Sequence, residues 1–191
     1  MNLIPGSASP NWPPGDDWGG PPFWWVGSNV AVDAVVADAE RIAVVLSALT
    51  VYPTGLVLRL EVHARKGLDL IRMVFEAPRM TEAMRQLEGE PPVDPDPFQL
   101  NVAYSDGRVA RPYAWGAPSE TDQPPYLVLQ SGRGGSDQLT QTFWLHPLPE
   151  EGDLDLHCSW GSEGVADSVW HIPGDLVREA AQRAYPLWSG R

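Results

Sequence analysis

GLVLRLEVHAR, residues 55–65, is the stretch on which the fold turns. Leu56, Leu58, Leu60, Val62 and Ala64 alternate with Val57, Arg59, Glu61, His63 and Arg65. Side chains on a strand point to opposite faces with a period of two, so this pattern describes a strand with one buried and one wetted face. Upstream, VAVDAVV and RIAVVLSALTVY are rich in the β-branched residues that suit a pleated surface, and Asp38 and then Pro53, Thr54 and Gly55 interrupt them. Downstream, FQLNVAY resumes the alternation with Phe98, Leu100, Val102 and Tyr104 on one face, and Asp106-Gly107 follows as a hairpin turn signal. PYLVLQS, QLTQTFWLH and LDLHCSW are three more strands, separated by RGGSD and PLPEEGD, and a last short strand is expected near 166–172.

Helical spacing is confined to two places. Met80, Ala83, Met84 and Leu87 predict a short helix over roughly 79–88. Leu176, Val177, Ala180, Ala181 and Ala184 form one apolar stripe that predicts a C-terminal helix at about 175–185, with Asp175 as its cap and Pro186 as its stop. Many short strands joined by Gly/Pro-rich turns, without regular strand–helix alternation, give a mainly β fold: an antiparallel β-sandwich with a C-terminal helix.

Residues 1–29 differ in kind from residues 30–191. NWPPGDDWGGPPFWW combines closely spaced prolines with Trp12, Trp18, Phe23, Trp24 and Trp25. That punctuation leaves room for no helix or central strand, yet a disordered linker is normally poor in aromatics. An irregular Pro/Trp-rich arm that docks, either on its own domain or on a partner, is the expectation.

Composition narrows the function. Twenty-five acidic against thirteen basic residues give a formal net charge of −12, which repels polyanions and argues against nucleic-acid binding. No apolar run approaches the roughly 20 residues that span a bilayer, so no membrane insertion is expected. The start, MNLIPGSASP, lacks the basic and apolar regions of a signal peptide. The lone Cys158 has no partner for a disulfide. A cytoplasmic location follows as an expectation.

The runs VVLSALTVYPTGLVLRLEV, YSDGRVA, FWLHPLP, HCSWGSEGVADSVWHI and AAQRAYPLW resemble a group of actinobacterial β-rich proteins with no assigned activity. The resemblance spans residues 40–188. It implies a β-rich fold and carries no catalytic signature.

Three readings of function remain. The aromatic arm makes a non-enzymatic protein-binding or assembly protein the first, with Trp12, Trp18, Phe23, Trp24 and Trp25 as contacts and self-association or a protein partner as the outcome. The second is a calcium- or ligand-binding sandwich using the acidic loops through Asp94, Asp96, Glu150, Asp153 and Asp155. The third is a metal-dependent enzyme. If QLTQTFWLH and LDLHCSW formed a hairpin with Leu145 opposite Leu156, then His146 would face Asp155 and Trp144 would face His157, bringing His146, Asp155 and His157 together. No cofactor is implied: GRGGS at 132–136 lacks the Lys-Ser/Thr of a phosphate loop, and neither G-x-S-x-G nor H-E-x-x-H occurs.

Overall fold

In a computed structural model of the chain, residues 19–65, 70, 96–113 and 123–188 are described. The helix expected over 79–88 lies outside them, as do Trp12, Trp18 and Asp94. The strands are β1 (Trp25–Val26), β2 (Ser28–Val30), β3 (Ala34–Asp38), β4 (Ile42–Val51), β5 (Leu56–Ala64), β6 (Gln99–Tyr104), β7 (Val109–Ala110), β8 (Pro112–Tyr113), β9 (Tyr126–Gly134), β10 (Gln138–His146), β11 (Leu154–Trp160), β12 (Val165–Ile172) and β13 (Tyr185–Pro186). A helix, α1 (Gly174–Arg183), lies between the last two.

The architecture is the expected antiparallel β-sandwich with a C-terminal helix. A seven-stranded sheet runs β2-β4-β5-β10-β9-β8, with β3 sharing the edge of β4, and a four-stranded sheet runs β12-β11-β6-β7. The short β8 is parallel to β9. β1 and β13 form a separate two-stranded ribbon.

The alternation in residues 56–64 is realised in full: Leu56, Leu58, Leu60 and Val62 are buried, and the residues between them face outward. β4 needs a correction to strict alternation. Its buried set is Ile42, Val44 and Leu46, then Leu49 and Val51. Leu46 pairs with Leu60 and Ala48 with Arg59, so Ser47 is an extra residue in a β-bulge. The bulge resets the parity that would otherwise turn Ala48 and Thr50 toward the core. Opposite, Leu100, Val102, Tyr104, Leu154, Leu156, Cys158 and Trp160 of the four-stranded sheet fill the same core. The turn at Asp106-Gly107 forms as expected. Gly107 has φ +88°, a conformation that a Cβ would strain, and the Asp106 carboxylate accepts the Arg108 amide at 3.0 Å.

The hairpin on which the metal reading is conditional, between β10 and β11, does not form, and one expectation fails. Both edges of β10 are occupied, by β5 and β9, and β11 lies in the other sheet between β12 and β6. The chain crosses from one sheet to the other between them, as connections in sandwiches commonly do. Asp175 does not cap α1 either. The Gly174 amide donates instead to Asp153 Oδ1 at 2.7 Å, while Asp175 pairs with Arg178 at 2.5 Å. Val177 and Ala180 are buried as the stripe predicts, but Leu176 is exposed.

Candidate functional site: the arm and tail ribbon

The seven-stranded sheet carries an apolar cluster on its outward face. Trp144 alternates with the inward Phe143 and Leu145, yet it is 0% exposed. It packs with Tyr126 and Val128, and Tyr52 and Val57 lie against this group. Tyr52 meets the indole edge-on at 5.8 Å between centroids. Gly55 is required here by close approach, because a Cβ at that position would strike the Trp144 ring and the Leu145 carbonyl.

The end of the arm runs past this cluster. Gln130 Nε2 on β9 donates to the Gly19 carbonyl at 2.8 Å. Gly27 packs on Thr50 and Tyr52 at the β4 side. Between them in register lie Val57 and Trp144, so residues 19–27 span the sheet over its aromatic end.

The arm then meets the tail. Trp25 pairs with Pro186 and Val26 with Tyr185, and the Leu187 amide donates to the Trp24 carbonyl at 2.7 Å. Arg183 Nε donates to Ser28 Oγ at 3.3 Å, fastening the end of α1 to β2. Of the expected contact residues, Trp24 and Trp25 are half-buried and Phe23 is 68% exposed, its ring set edge-on to Trp24. The tail adds Tyr185, Leu187 and Trp188 at 58%, 48% and 77% exposure. The sequence reading missed these three as contacts. For Leu187 and Trp188 the signal was their place after Pro186, beyond the expected helix; Tyr185 fell at the end of that expected helix.

No protein-family model, curated protein or solved structure matches the chain.

The other candidate residues are scattered. Asp96 lies at Gly161 and Ser162, past the far end of β11, whereas Asp153 and Asp155 stand at its beginning. A seven-residue strand separates them by roughly 20 Å, and so the acidic set is not one site. Glu150 is exposed in the loop before β11. His146, at the end of β10, holds the Thr54 carbonyl through Nδ1 at 2.9 Å and stacks beside Tyr126. His157 sits between Asn101 and Val169 on the other sheet, remote from it in the pairing. Among the described residues no group of three or more His, Cys, Asp or Glu side chains is arranged to hold a metal ion, and no helix is long and apolar enough to cross a membrane.

A different histidine is engaged. Asp155 pairs across the strands with His171, whose Nδ1 lies 2.8 Å from Asp155 Oδ1 and whose Nε2 lies 3.1 Å from Asp153 Oδ2. Carboxylates only accept, so both bonds form together only on the imidazolium. The Asp155 hydrogen bond first, and then the charge of Asp153, raise the His171 pKa above its usual value. Asp153 is held below the ordinary carboxylate range, chiefly by the Gly174 amide. These groups are exposed and join β11, β12 and the start of α1, so the arrangement reads as a brace.

Proposed function

We propose that the protein is a non-enzymatic binding or assembly module that docks a protein surface on the ridge formed by Phe23, Tyr185, Leu187 and Trp188. The observation that carries this reading is the concentration of exposed large apolar side chains on and immediately beside the ribbon of β1 and β13. Each aromatic ring can bury roughly 150–250 Å². Exposed patches beyond a few hundred Å² are uncommon on monomers and mark interaction sites, and aromatic anchors dominate interface energetics. The formal net charge of −12 favours a partner with a neutral or basic surface and disfavours nucleic acid.

The ridge is tested with the double substitution Phe23→Ser and Trp188→Ser, which alters exposed side chains only. Sedimentation reads self-association, and co-purification from the native host reads a partner. The variant is expected to keep the wild-type unfolding midpoint and to lose whichever association the wild type shows. An unchanged association, or a monomeric wild type that co-purifies with nothing, overturns the reading.

A further inference from the structure

We propose that the outward face of β5, β10 and β9 carries a binding site for a phosphate or phosphomonoester group of a small molecule. A cavity of about 290 Å³ opens there, lined by Arg59, Ser131, Gly132, Arg133, Thr140 and Thr142. That volume sits at the lower edge of the roughly 300–1,000 Å³ of small-molecule sites.

Strand register explains why these groups meet. Thr142 stands opposite Arg59 on one side and Ser131 on the other, and Thr140 stands opposite Arg133. β5 and β9 flank β10 at about 4.8 Å each, within reach of two arginine side chains converging over the threonines. The Arg59 row is bracketed by two bulges: Ser47 is the extra residue on β4, and Gln130 is the extra residue on β9. Bulges re-aim side chains and recur beside sites.

The electrostatics leave these donors available. The Arg59 side chain is 43% exposed; its Nε is out of solvent and makes no hydrogen bond, so a ligand in the cavity meets the terminal guanidinium nitrogens. Its contact with Glu61 is 3.6 Å, too long for one. Among the described residues, nothing forms a hydrogen bond or ion pair with the Arg133 side chain. Two guanidinium groups and three hydroxyls on three adjacent strands line the cavity, a donor set with more partners than the two oxygens of a carboxylate and suited to the several oxygens of a phosphate. Glu61 shares its carboxylate with His63 at 3.5 Å and Gln138 at 3.5 Å, and it cancels part of the positive charge. The acidity of the whole chain restricts the ligand to a compact anion rather than a polyanion.

Calorimetry with inorganic phosphate at low ionic strength is the test. Saturable one-to-one binding is expected. Arg133→Gln, on an exposed side chain, should weaken it about tenfold or more, and Glu61→Gln should tighten it. A purely structural role for these residues would not produce opposite shifts. Repeating the titration with a simple phosphomonoester identifies the source of the group, the tighter of the two being the natural chemistry. Absence of saturation, indifference to Arg133→Gln, or equal affinity for acetate overturns the proposal.

Discussion

The two sheets each bury one large tryptophan, and they do so on opposite sides. Trp160 of β11 points inward and packs edge-on with Phe98 at 5.5 Å between centroids. Trp144 of β10 points outward and is equally dry, at 0% exposure against 1% for Trp160. The four-stranded sheet uses one apolar face, as its clean alternation from Leu154 to Trp160 shows. The seven-stranded sheet is apolar on its inner face and, at the Trp144 end, on its outer face too. There Tyr52, Tyr126, Val57 and Val128 surround the indole, and the arm crosses beside them. At the other end of the same outer face stand Arg59, Arg133 and the threonines. Burial of a tryptophan thus says little about which side of its sheet it occupies. The outer layer has to be supplied by another part of the chain.

The largest expected effect breaks this comparison most directly. Trp144→Ala and Trp160→Ala should each destabilise the protein by about 3–5 kcal/mol, read from urea unfolding. Combined with deletion of residues 1–27, which removes Gly27 from Tyr52, the two should behave differently. The arm reaches Trp144 through Tyr52, so that pair should be non-additive by roughly 0.5–3 kcal/mol, whereas Trp160 and the deletion should add. Equal additivity in both cycles would mean that the arm contributes nothing to the outer layer. Thr142→Val, at the wet end of the same face, should stay within about 0.5 kcal/mol of wild type.

Much of this contrast was legible in the sequence, for a physical reason. A half-buried strand writes its exposure into a period of two, so residues 56–64 and 154–160 disclose their faces without any partner. Cys158 shares the parity of Leu154, Leu156 and Trp160 and is buried with them. What period cannot reveal is which strands pair. QLTQTFWLH and LDLHCSW are neighbours in sequence and carry compatible patterns, but β5 and β9 saturate the hydrogen-bonding edges of β10. The His146, Asp155 and His157 cluster depended on that pairing and does not form. The engaged residues, Asp153, Asp155 and His171, come together because β12 is the true neighbour of β11. Trp144 escaped for a related reason, since its parity marked it as outward and only the tertiary cover makes it dry. The arm divided the same way: its need to dock followed from its tryptophans, whereas its partner, the tail, is set by long-range pairing.

A smaller effect sharpens the description of the four-stranded sheet's inner face. Cys158 is 1% exposed, and burial pushes its thiol up to about 12. The reactive species is the thiolate, so a disulfide reagent should label the native protein only as fast as it unfolds. Cys158→Ala should cost roughly 0.5–3 kcal/mol, and Cys158→Ser somewhat more, because it buries a hydroxyl in an apolar core. Prompt labelling of the folded protein would show that this face is not closed.

The smallest effect concerns the outer face of that sheet, where a charged brace takes the place of an aromatic layer. The His171 pKa is raised in the folded protein, first by the Asp155 hydrogen bond and then by Asp153. Its contribution to stability is therefore complete below the unfolded value of about 6.5 and is lost as pH rises through the folded value. Asp153 is shifted the other way, first by the Gly174 amide and also by His171. Its contribution is complete above the unfolded value of about 3.9 and is lost as pH falls through the folded value. Both are complete together only between about pH 4 and 6.5, so stability from this junction should peak there. The expected amplitude is small, because all three side chains are about half exposed and solvent screens them. Unfolding midpoints measured from pH 4 to 9 should decline gently above about 6.5 in the wild type, and the decline should flatten in His171→Gln. The ring signals of His171 should titrate above those of an unperturbed histidine, and Asp155→Asn should bring them down. A His171 titration at the ordinary value, with a pH profile unchanged by His171→Gln, would mean that the two bonds do not persist in solution and that the sheet's outer face is simply wet.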